Sequence, residues 1–273
     1  MSLRVFGSDW PDLSSRFVAV GEVMLEVFPQ TLVAGSVIHA PVRVRVGGSA
    51  VTCAIAAAAE GVASALVGRV GDDPAGRVIH DCLLAKGVQP LLQVDPTLST
   101  GTHVNVGSTT IVTDRGANVR LEIEAPSAEA VFISGYVVFQ ADDCPLARLG
   151  DPQWLAVSGG SPSLVRLRST ERANALFVND AEFVALGGDI EVLKERFRMV
   201  CVTRGQNRAS AYLDGQTADC RPPRTEKVLP SGGGDALAGS MLASLLLGRG
   251  LDESLERACA AGARAIADHA SGA

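Results

Sequence analysis

The sequence has few aromatic residues, and it lacks the segments that mark a membrane or secreted protein. Aromatic side chains make up 4% of its 273 residues, so we expect a core built from alanine, valine and leucine. No apolar stretch reaches the roughly 18 residues that a membrane-spanning helix needs. The first 16 residues are polar and do not resemble a signal peptide. These absences predict a cytoplasmic protein with no membrane partner.

Positive charge is also scarce. The chain has 24 Lys and Arg against 30 Asp and Glu, which gives a formal net charge of −6, and it contains no basic run. A nucleic-acid partner is therefore not expected, because binding to a phosphate backbone requires clustered basic side chains.

Several sequence motifs of other protein classes are missing. The six cysteines show no CxxC spacing, so we interpret them as buried, reduced side chains. The P-loop pattern GxxxxGK[ST] and the hydrolase pattern GxSxG are absent. The run Gly232–Gly234 also fails the Rossmann fingerprint GxGxxG, because Leu237 occupies the place of its third glycine. This failure argues against a nicotinamide-dependent oxidoreductase.

A glycine loop that opens an apolar helix is the most informative stretch of the chain. Gly232, Gly233 and Gly234 precede Asp235 and the apolar run 236–247. Such a loop directs free backbone N–H groups and the positive end of the helix dipole at one point, which favours an anion. With Asp235 beside it, the loop could serve phosphoryl transfer to a hydroxyl. The alternative interpretation is a plain turn in which Asp235 only caps the helix.

Alternating strands and helices predict the fold class. Residues 17–20, 63–70, 175–178 and 199–203 have the continuous apolar character of strands in a covered parallel sheet. Helices are expected between them, including one capped by Asp73 with Pro74 in its first position. This rhythm indicates an α/β protein with a doubly wound sheet.

Two segments depart from this alternation of strands and helices and predict a smaller β-sheet. Residues 36–46 and 101–124 alternate polar and apolar positions, and we expect a turn at 114–117 to join two strands of the second segment. The hairpin would pair with 36–46 and form a lid. His39 and His103 fall on these strands, and we expect them at the surface or at the contact of a homodimer formed through the lid.

Four motifs in order resemble those of the ribokinase-like (PfkB) family of carbohydrate kinases. They are Gly47-Gly48 with 68–76, Asn179-Asp180-Ala181-Glu182, Thr203-Arg204-Gly205, and Ser231-Gly232-Gly233-Gly234-Asp235. The resemblance spans nearly the whole chain. It implies a single three-layer α/β/α domain over residues 1–273, with a mostly parallel central sheet and a small β-strand lid.

The resemblance also implies a reaction and a set of site residues. The expected reaction transfers the γ-phosphoryl group of ATP to a hydroxyl of a sugar, a nucleoside or a related acceptor. Asp235 would be the base and Gly232–Gly234 the anion hole. The remaining expected roles are nucleotide binding by Asn179, Thr203, Gly205 and Ser231, Mg²⁺ binding through water by Glu182, and acceptor binding by Glu26, Gly47, Gly48 and Thr52.

Three positions depart from the family pattern. Glu26 replaces the usual Asp at the end of the first strand, and Thr52 replaces the usual acceptor-binding Asn. Leu229 stands where the family has an Asp tied to a monovalent cation, so the resemblance does not extend to that cation. The alternative function is therefore a nucleotide-binding relative without kinase turnover.

Overall fold

Two β-sheets organise the part of the chain that the computed structural model describes, namely residues 15–29, 35–106, 110–139, 145–163, 165–225 and 232–271. The strands, numbered along the chain, are β1 (Phe17–Val20), β2 (Met24–Pro29), β3 (Val42–Gly47), β4 (Ser64–Gly71), β5 (Val88–Asp95), β6 (Gly101–Val106), β7 (Thr110–Asp114), β8 (Ala130–Ile133), β9 (Trp154–Ser158), β10 (Ala175–Asn179), β11 (Met199–Thr203), β12 (Ala209–Leu213) and β13 (Gln216–Cys220).

The larger sheet has nine strands in the order β13-β12-β11-β10-β9-β8-β1-β4-β5. The seven strands from β11 to β5 run parallel, whereas β12 and β13 form an antiparallel hairpin at one edge. All four residues of β1, near the middle, are buried. Burial on both faces explains why this strand reads as an unbroken apolar run.

Helices cover both faces of the larger sheet. They are α1 (Ser49–Ala59), α2 (Pro74–Ala85), α3 (Gly135–Val138), α4 (Asp180–Ala185), α5 (Ile190–Arg196), α6 (Gly233–Leu246) and α7 (Leu251–Ser271). One core cluster joins α1, α2, α6 and α7 to one face, and a second joins side chains of α3, α4 and α5 to the other. The predicted three-layer α/β/α arrangement is thereby confirmed, and both cores consist mainly of Ala, Val and Leu.

The smaller sheet differs from the expected lid in its strands and in its pairing. Its order is β3-β2-β6-β7, so β2 lies in the middle, and β3 does not pair with the hairpin β6–β7. The strand expected over 36–46 covers only Val42–Gly47. Pro41 precedes it, and proline cannot donate a hydrogen bond to a strand ladder.

The prediction of a turn at 114–117 was also wrong. The hairpin joins β6 to β7 instead, and Val104 pairs with Val112. Residues 116–120 form a short 3-10 helix, in which the Asn118 side chain accepts a hydrogen bond from the Val23 N–H and donates one to the Val23 carbonyl. These bonds hold the segment against the start of β2, so it is unavailable as a strand.

Two other properties of the described chain bear on the sequence interpretation. No helix within it combines the length and the apolar character that crossing a bilayer demands. Its five cysteines are free: Cys53, Cys201 and Cys259 are buried, and Cys82 and Cys220 are partly exposed. Cys144 lies outside the described residues.

Asp73 joins the two sheets through hydrogen bonds at the N-terminus of α2. Its carboxylate accepts bonds from the Gly76 N–H at 2.8 Å and from both the N–H and the hydroxyl of Thr100 at 2.7 Å. The predicted cap is thus confirmed, and the same carboxylate also holds the residue before β6. Burial acts to raise the pKa of Asp73, but these hydrogen bonds outweigh it and lower the pKa below its usual value.

We expect Asp73→Ala to lower the free energy of unfolding by about 1–2 kcal/mol, because it removes a helix cap and two further hydrogen bonds. Since the pKa is lowered on folding, this contribution is present above about pH 4 and is lost as the pH falls through the folded value. Urea denaturation at pH 7 and pH 3 measures both effects. The control is Asp72→Ala, whose side chain is 70% exposed. Equal losses for the two variants would contradict the assignment.

Candidate functional site

A cavity of about 850 Å³ opens where the carboxyl ends of the central strands face the smaller sheet. Its walls come from both sheets and from the N-termini of α1 and α6. Ligand sites of open α/β sheets are expected at this edge, beyond the carboxyl ends of the strands.

The N-terminus of α6 forms one wall of the cavity. Gly232 is its N-cap and has a φ of +83°, a left-handed conformation that glycine adopts without steric cost. Among the described residues no side chain caps this helix, and Gly232, Gly233 and Gly234 all line the cavity. A helix N-terminus of this kind suits an anion, and the use of Gly232–Gly234 as an anion hole stays a prediction.

Asp235 lies in the first turn of α6 and lines the same cavity. Burial is the main cause that raises its pKa to about 7, and the carboxylates of Glu182, Glu26 and Glu22 raise it further. A hydrogen bond from Ser49 acts in the opposite direction. The side chain thus titrates near neutral pH, the range in which a carboxylate can accept a proton.

A single row of side chains crosses the smaller sheet and faces the cavity. The strand register places Glu26 of β2 between Arg45 of β3 and His103 of β6, and Thr113 of β7 follows His103. All four line the cavity. Glu26 forms an ion pair with Arg45, and His103 Nδ1 lies 3.1 Å from the Thr113 hydroxyl. This row forms a polar wall opposite α6.

The placement of Glu26 corrects the sequence interpretation in one respect. Glu26 does not end the first strand of the larger sheet, because β1 stops at Val20 and Glu26 belongs to β2. Gly47 does not line the cavity and lies behind Glu26 instead: a Cβ atom on Gly47 would sit 2.2 Å from the Glu26 carboxyl carbon. Glycine at this position is what admits the Glu26 side chain.

Glu22 is a second acidic group in this half of the cavity. It follows β1 closely, is 6% exposed, and accepts a hydrogen bond at 2.8 Å from Arg115 Nε. Burial raises the pKa of Glu22, and Arg115 offsets part of that rise. Arg115 therefore lines the cavity, whereas Arg120 pairs with Asp95.

Asn179 and Glu182 form a capping box at the start of α4. The Asn179 side chain accepts a bond from the Glu182 N–H, and a Glu182 oxygen accepts one from the Asn179 N–H, both at 2.9 Å. Glu182 is 5% exposed and still lines the cavity. Burial raises its pKa, partly countered by the bonds with Asn179. The pair therefore has a structural role, and its role in binding Mg²⁺ stays a prediction.

The other expected site residues fall around the same cavity. Thr203 ends β11, Gly205 follows it, and Gly48 and Thr52 lie at the start of α1; all four line the cavity. Ser231 and Leu229 lie outside the described residues. The lining also includes five apolar residues, namely Pro222, Pro223, Leu237, Ala263 and Ile266.

Sequence reasoning missed several residues of the site. Glu22, Ser49 and Tyr136 line the cavity, and so does His103, which was expected at the surface or at a dimer contact. His39, in contrast, is exposed. Glu22 could have been predicted from its position just beyond a central strand. Arg45 and His103 could not, because only the strand register places them at the cavity.

The match to a family model decides the classification. Residues 14–273 match the model described as "pfkB family carbohydrate kinase". The chain belongs to the pfkB family. Among curated proteins, none matches this pfkB-family chain by sequence.

Solved structures share the fold of this pfkB-family chain at low sequence identity. Adenosine kinase from Sinorhizobium meliloti superposes with a TM-score of 0.80 at 18% identity, covering 93% of this chain and 94% of its own. A protein designated ribokinase II from E. coli, solved with ATP and Mg²⁺, gives 0.79 at 19% identity and covers 93% of each chain. A carbohydrate kinase from Agrobacterium tumefaciens gives 0.73 at 18% identity, with 91% and 90% covered.

We expect Asp235→Asn to stabilise the ligand-free pfkB-family chain at pH 8 by at least about 1 kcal/mol. The folded pKa of Asp235 is about 7 and exceeds the unfolded value. The free energy of unfolding therefore falls as the pH rises from the unfolded to the folded pKa, and above both values the buried, ionised carboxylate still destabilises the folded protein. Asparagine removes this penalty. Chemical denaturation at pH 8 and pH 4 measures the change, which should vanish at pH 4.

The matched control is Asp252→Asn, which alters an exposed acid in the first turn of α7. We expect it to leave unfolding nearly unchanged at both pH values. A loss of stability in Asp235→Asn at pH 8 would contradict the electrostatic description of the cavity.

Proposed function

We propose that this protein transfers the γ-phosphoryl group of ATP to a hydroxyl of a sugar or sugar-like acceptor, nucleosides included. One observation carries the proposal. Asp235 and the uncapped N-terminus of α6 share a single cavity with the polar row of the smaller sheet. Donors for a phosphate and an acceptor for a hydroxyl proton thus stand together, as this chemistry requires.

The N–H groups of Gly232, Gly233 and Gly234 are proposed to stabilise the phosphoryl group in transfer. No described side chain caps them, and they lie at the start of a helix of 14 residues whose dipole is positive at this end. Their direction is set by the folded backbone, so they need little reorganisation as charge develops on the oxygens. Preorganised donors of this kind are a main source of transition-state stabilisation.

Asp235 is proposed to accept the proton of the attacking hydroxyl. In a loose transition state the proton leaves late, so the carboxylate first orients the hydroxyl and then takes the proton. Its neighbours in the cavity include Glu22 and Glu26. These two carboxylates, each paired with an arginine, suit hydrogen bonds from the other hydroxyls of the acceptor.

Mg²⁺ is the metal that suits the proposed reaction. The described residues contain no group of three or more side chains able to cage a metal ion, but Glu182 offers one carboxylate at the cavity. Mg²⁺ keeps several waters and is commonly held by one or two carboxylates together with substrate phosphates, so this donor set fits it. The bound ion would neutralise charge on the phosphates.

The remaining candidate is a nucleotide-binding relative without turnover. Glu26 and Thr52 depart from the family pattern at positions expected to bind the acceptor, which favours the relative without turnover. Asp235 lies in the same cavity as Gly232–Gly234, which favours catalysis. A cytoplasmic location stays a prediction.

The test is ADP release from Mg-ATP across a panel of pentoses, hexoses, polyols, sugar phosphates and nucleosides. We expect saturable turnover on at least one acceptor. Asp235→Asn should lower kcat by about 100-fold or more, because general base catalysis contributes roughly this factor, while ATP still binds. Binding of ATP is measured by calorimetry on the same samples.

The control for this assay is Asp252→Asn, which should match the wild-type rate because Asp252 is exposed and outside the cavity. ATP binding with no turnover on any acceptor would favour the nucleotide-binding relative. Absence of ATP binding would exclude both candidates.

We also propose that a homodimer forms through the smaller sheet. The register aligns four valines in a row on the face opposite the polar row: Val44, Val27, Val104 and Val112. Val44 and Val112 lie on the two edge strands and are 58% and 56% exposed. An exposed apolar row on a sheet with open edges is a surface that a second copy could cover.

We expect Val44→Lys to shift the protein toward the monomer, because a charge in the row opposes its burial. Sedimentation velocity over a concentration series measures the change. The control is Val192→Lys, which alters a 45% exposed valine on α5, a helix that packs against the larger sheet. A wild-type protein that sediments as a monomer at all concentrations would refute the proposed dimer.

A further inference from the structure

Glu182 lies against the backbone of Gly159, the residue that follows β9. A Cβ atom on Gly159 would overlap the Glu182 carboxyl group and would lie 3.0 Å from its Cγ atom. Both residues line the cavity. We propose that Gly159 is a positioning residue, which admits the Glu182 carboxylate to this place and holds it at the cavity for the Mg²⁺ of the reaction. The inference rests on the proposed function and deepens it, because it names the residue that determines where this carboxylate lies.

The backbone of Gly159 is fixed by its neighbours. Its N–H donates a hydrogen bond at 2.8 Å to the Phe177 carbonyl of β10. Behind it lies the start of α3, where a Cβ atom on Gly135 would be 2.8 Å from the Gly159 carbonyl carbon. The φ of Gly159 is outside the left-handed region, so its backbone does not exclude alanine. A methyl group at this position would therefore be accommodated by movement of the flexible Glu182 side chain rather than of the packed backbone.

The charge of Glu182 explains why its position matters. Glu22 and Glu26 each form an ion pair with an arginine. Glu182 is 5% exposed, and within the described part of the chain it has no such basic partner and accepts a hydrogen bond only from the Asn179 N–H. A buried carboxylate needs a compensating positive charge, and a metal ion at the cavity would supply it.

The contact with Gly159 also involves the start of α4. The Glu182 oxygen that a Cβ atom on Gly159 would meet is Oε2, the atom that accepts the Asn179 N–H at 2.9 Å in the capping box. A side chain at position 159 would displace the carboxylate and weaken this bond. The position of the carboxylate is therefore set by the ends of β9 and β10 together with the first turn of α4.

The first test is a double-mutant cycle on the ligand-free protein, measured by urea denaturation. We expect Gly159→Ala to lower the urea midpoint of the wild type, because the added methyl group displaces the carboxylate from its hydrogen bond. The same decrease is expected in the Glu182→Gln background, because glutamine keeps the size of glutamate. In the Glu182→Ala background the space is open, so Gly159→Ala should leave the midpoint unchanged or raise it. This test needs no ligand, so it decides the contact even if the kinase reaction fails.

The second test measures nucleotide binding by calorimetry, with Mg-ATP and with ATP in EDTA. We expect the wild type to bind Mg-ATP at least about tenfold more tightly than metal-free ATP, and Gly159→Ala to lose most of this advantage, because changes in residues that support a metal ligand cost about tenfold or more in metal affinity. Binding of metal-free ATP should stay the same. The matched control is Gly250→Ala, an exposed glycine beside α7 where an added methyl group meets no atom within 4 Å. That variant should keep the wild-type advantage of Mg-ATP.

Equal effects of Gly159→Ala in the wild-type and Glu182→Ala backgrounds would overturn the inference, because the added methyl group would then not meet Glu182. So would an equal loss of affinity for Mg-ATP and metal-free ATP, or a wild type whose ATP binding does not depend on Mg²⁺. If Gly159→Ala does not fold, the double variant with Glu182→Ala should fold, since the second substitution opens the space. A double variant that also does not fold would overturn the inference. Absence of turnover on every acceptor, with both tests as expected, would refute the proposed reaction and support the role of Gly159.

Discussion

The site depends above all on the close packing of α1 against α6. The Cys53 carbonyl meets Gly239 with no room for a side chain, which brings the N-terminal ends of both helices to the same cavity. Both N-caps are glycines, and in the part of the chain that the structure describes neither helix has a side-chain cap. Backbone donors at both helix N-termini are thereby left uncapped by these side chains, an arrangement that suits an anionic ligand.

This arrangement concentrates negative charge in the cavity where we propose that a phosphate binds. Glu22, Glu26, Glu182 and Asp235 share the cavity, and burial raises the pKa of Asp235 to about 7. Ion pairs with Arg115 and Arg45 balance two of these carboxylates. Asp235 instead lies in the first turn of α6, at the positive end of the helix dipole. Clustering and burial of carboxylates in this way costs folding stability. The perturbed pKa values that result are expected at sites that carry out chemistry.

Much of the fold was predictable because local chemistry and tertiary structure agree. Phe17–Val20 is a buried strand, as its apolar run indicated, and Asp73 caps α2 with Pro74 behind it. The glycine loop begins α6 and lines the cavity as expected. In the smaller sheet this agreement fails, because the alternation in residues 101–124 does not reveal which strands pair. Asn118 removes part of that segment from the sheet through its bonds to Val23.

The sequence by itself determined the fold class, the order of its elements and the glycine-rich N-terminus of α6, because these depend on periodicity, caps and glycines close together in the chain. Only the tertiary structure decided how the polar row of the smaller sheet is built. Arg45, Glu26, His103 and Thr113 belong to four strands, and they meet because the register aligns them. The close approach of Gly239 to the Cys53 carbonyl likewise joins residues far apart in the chain. Such contacts are set by the packing of whole elements, which no local pattern encodes.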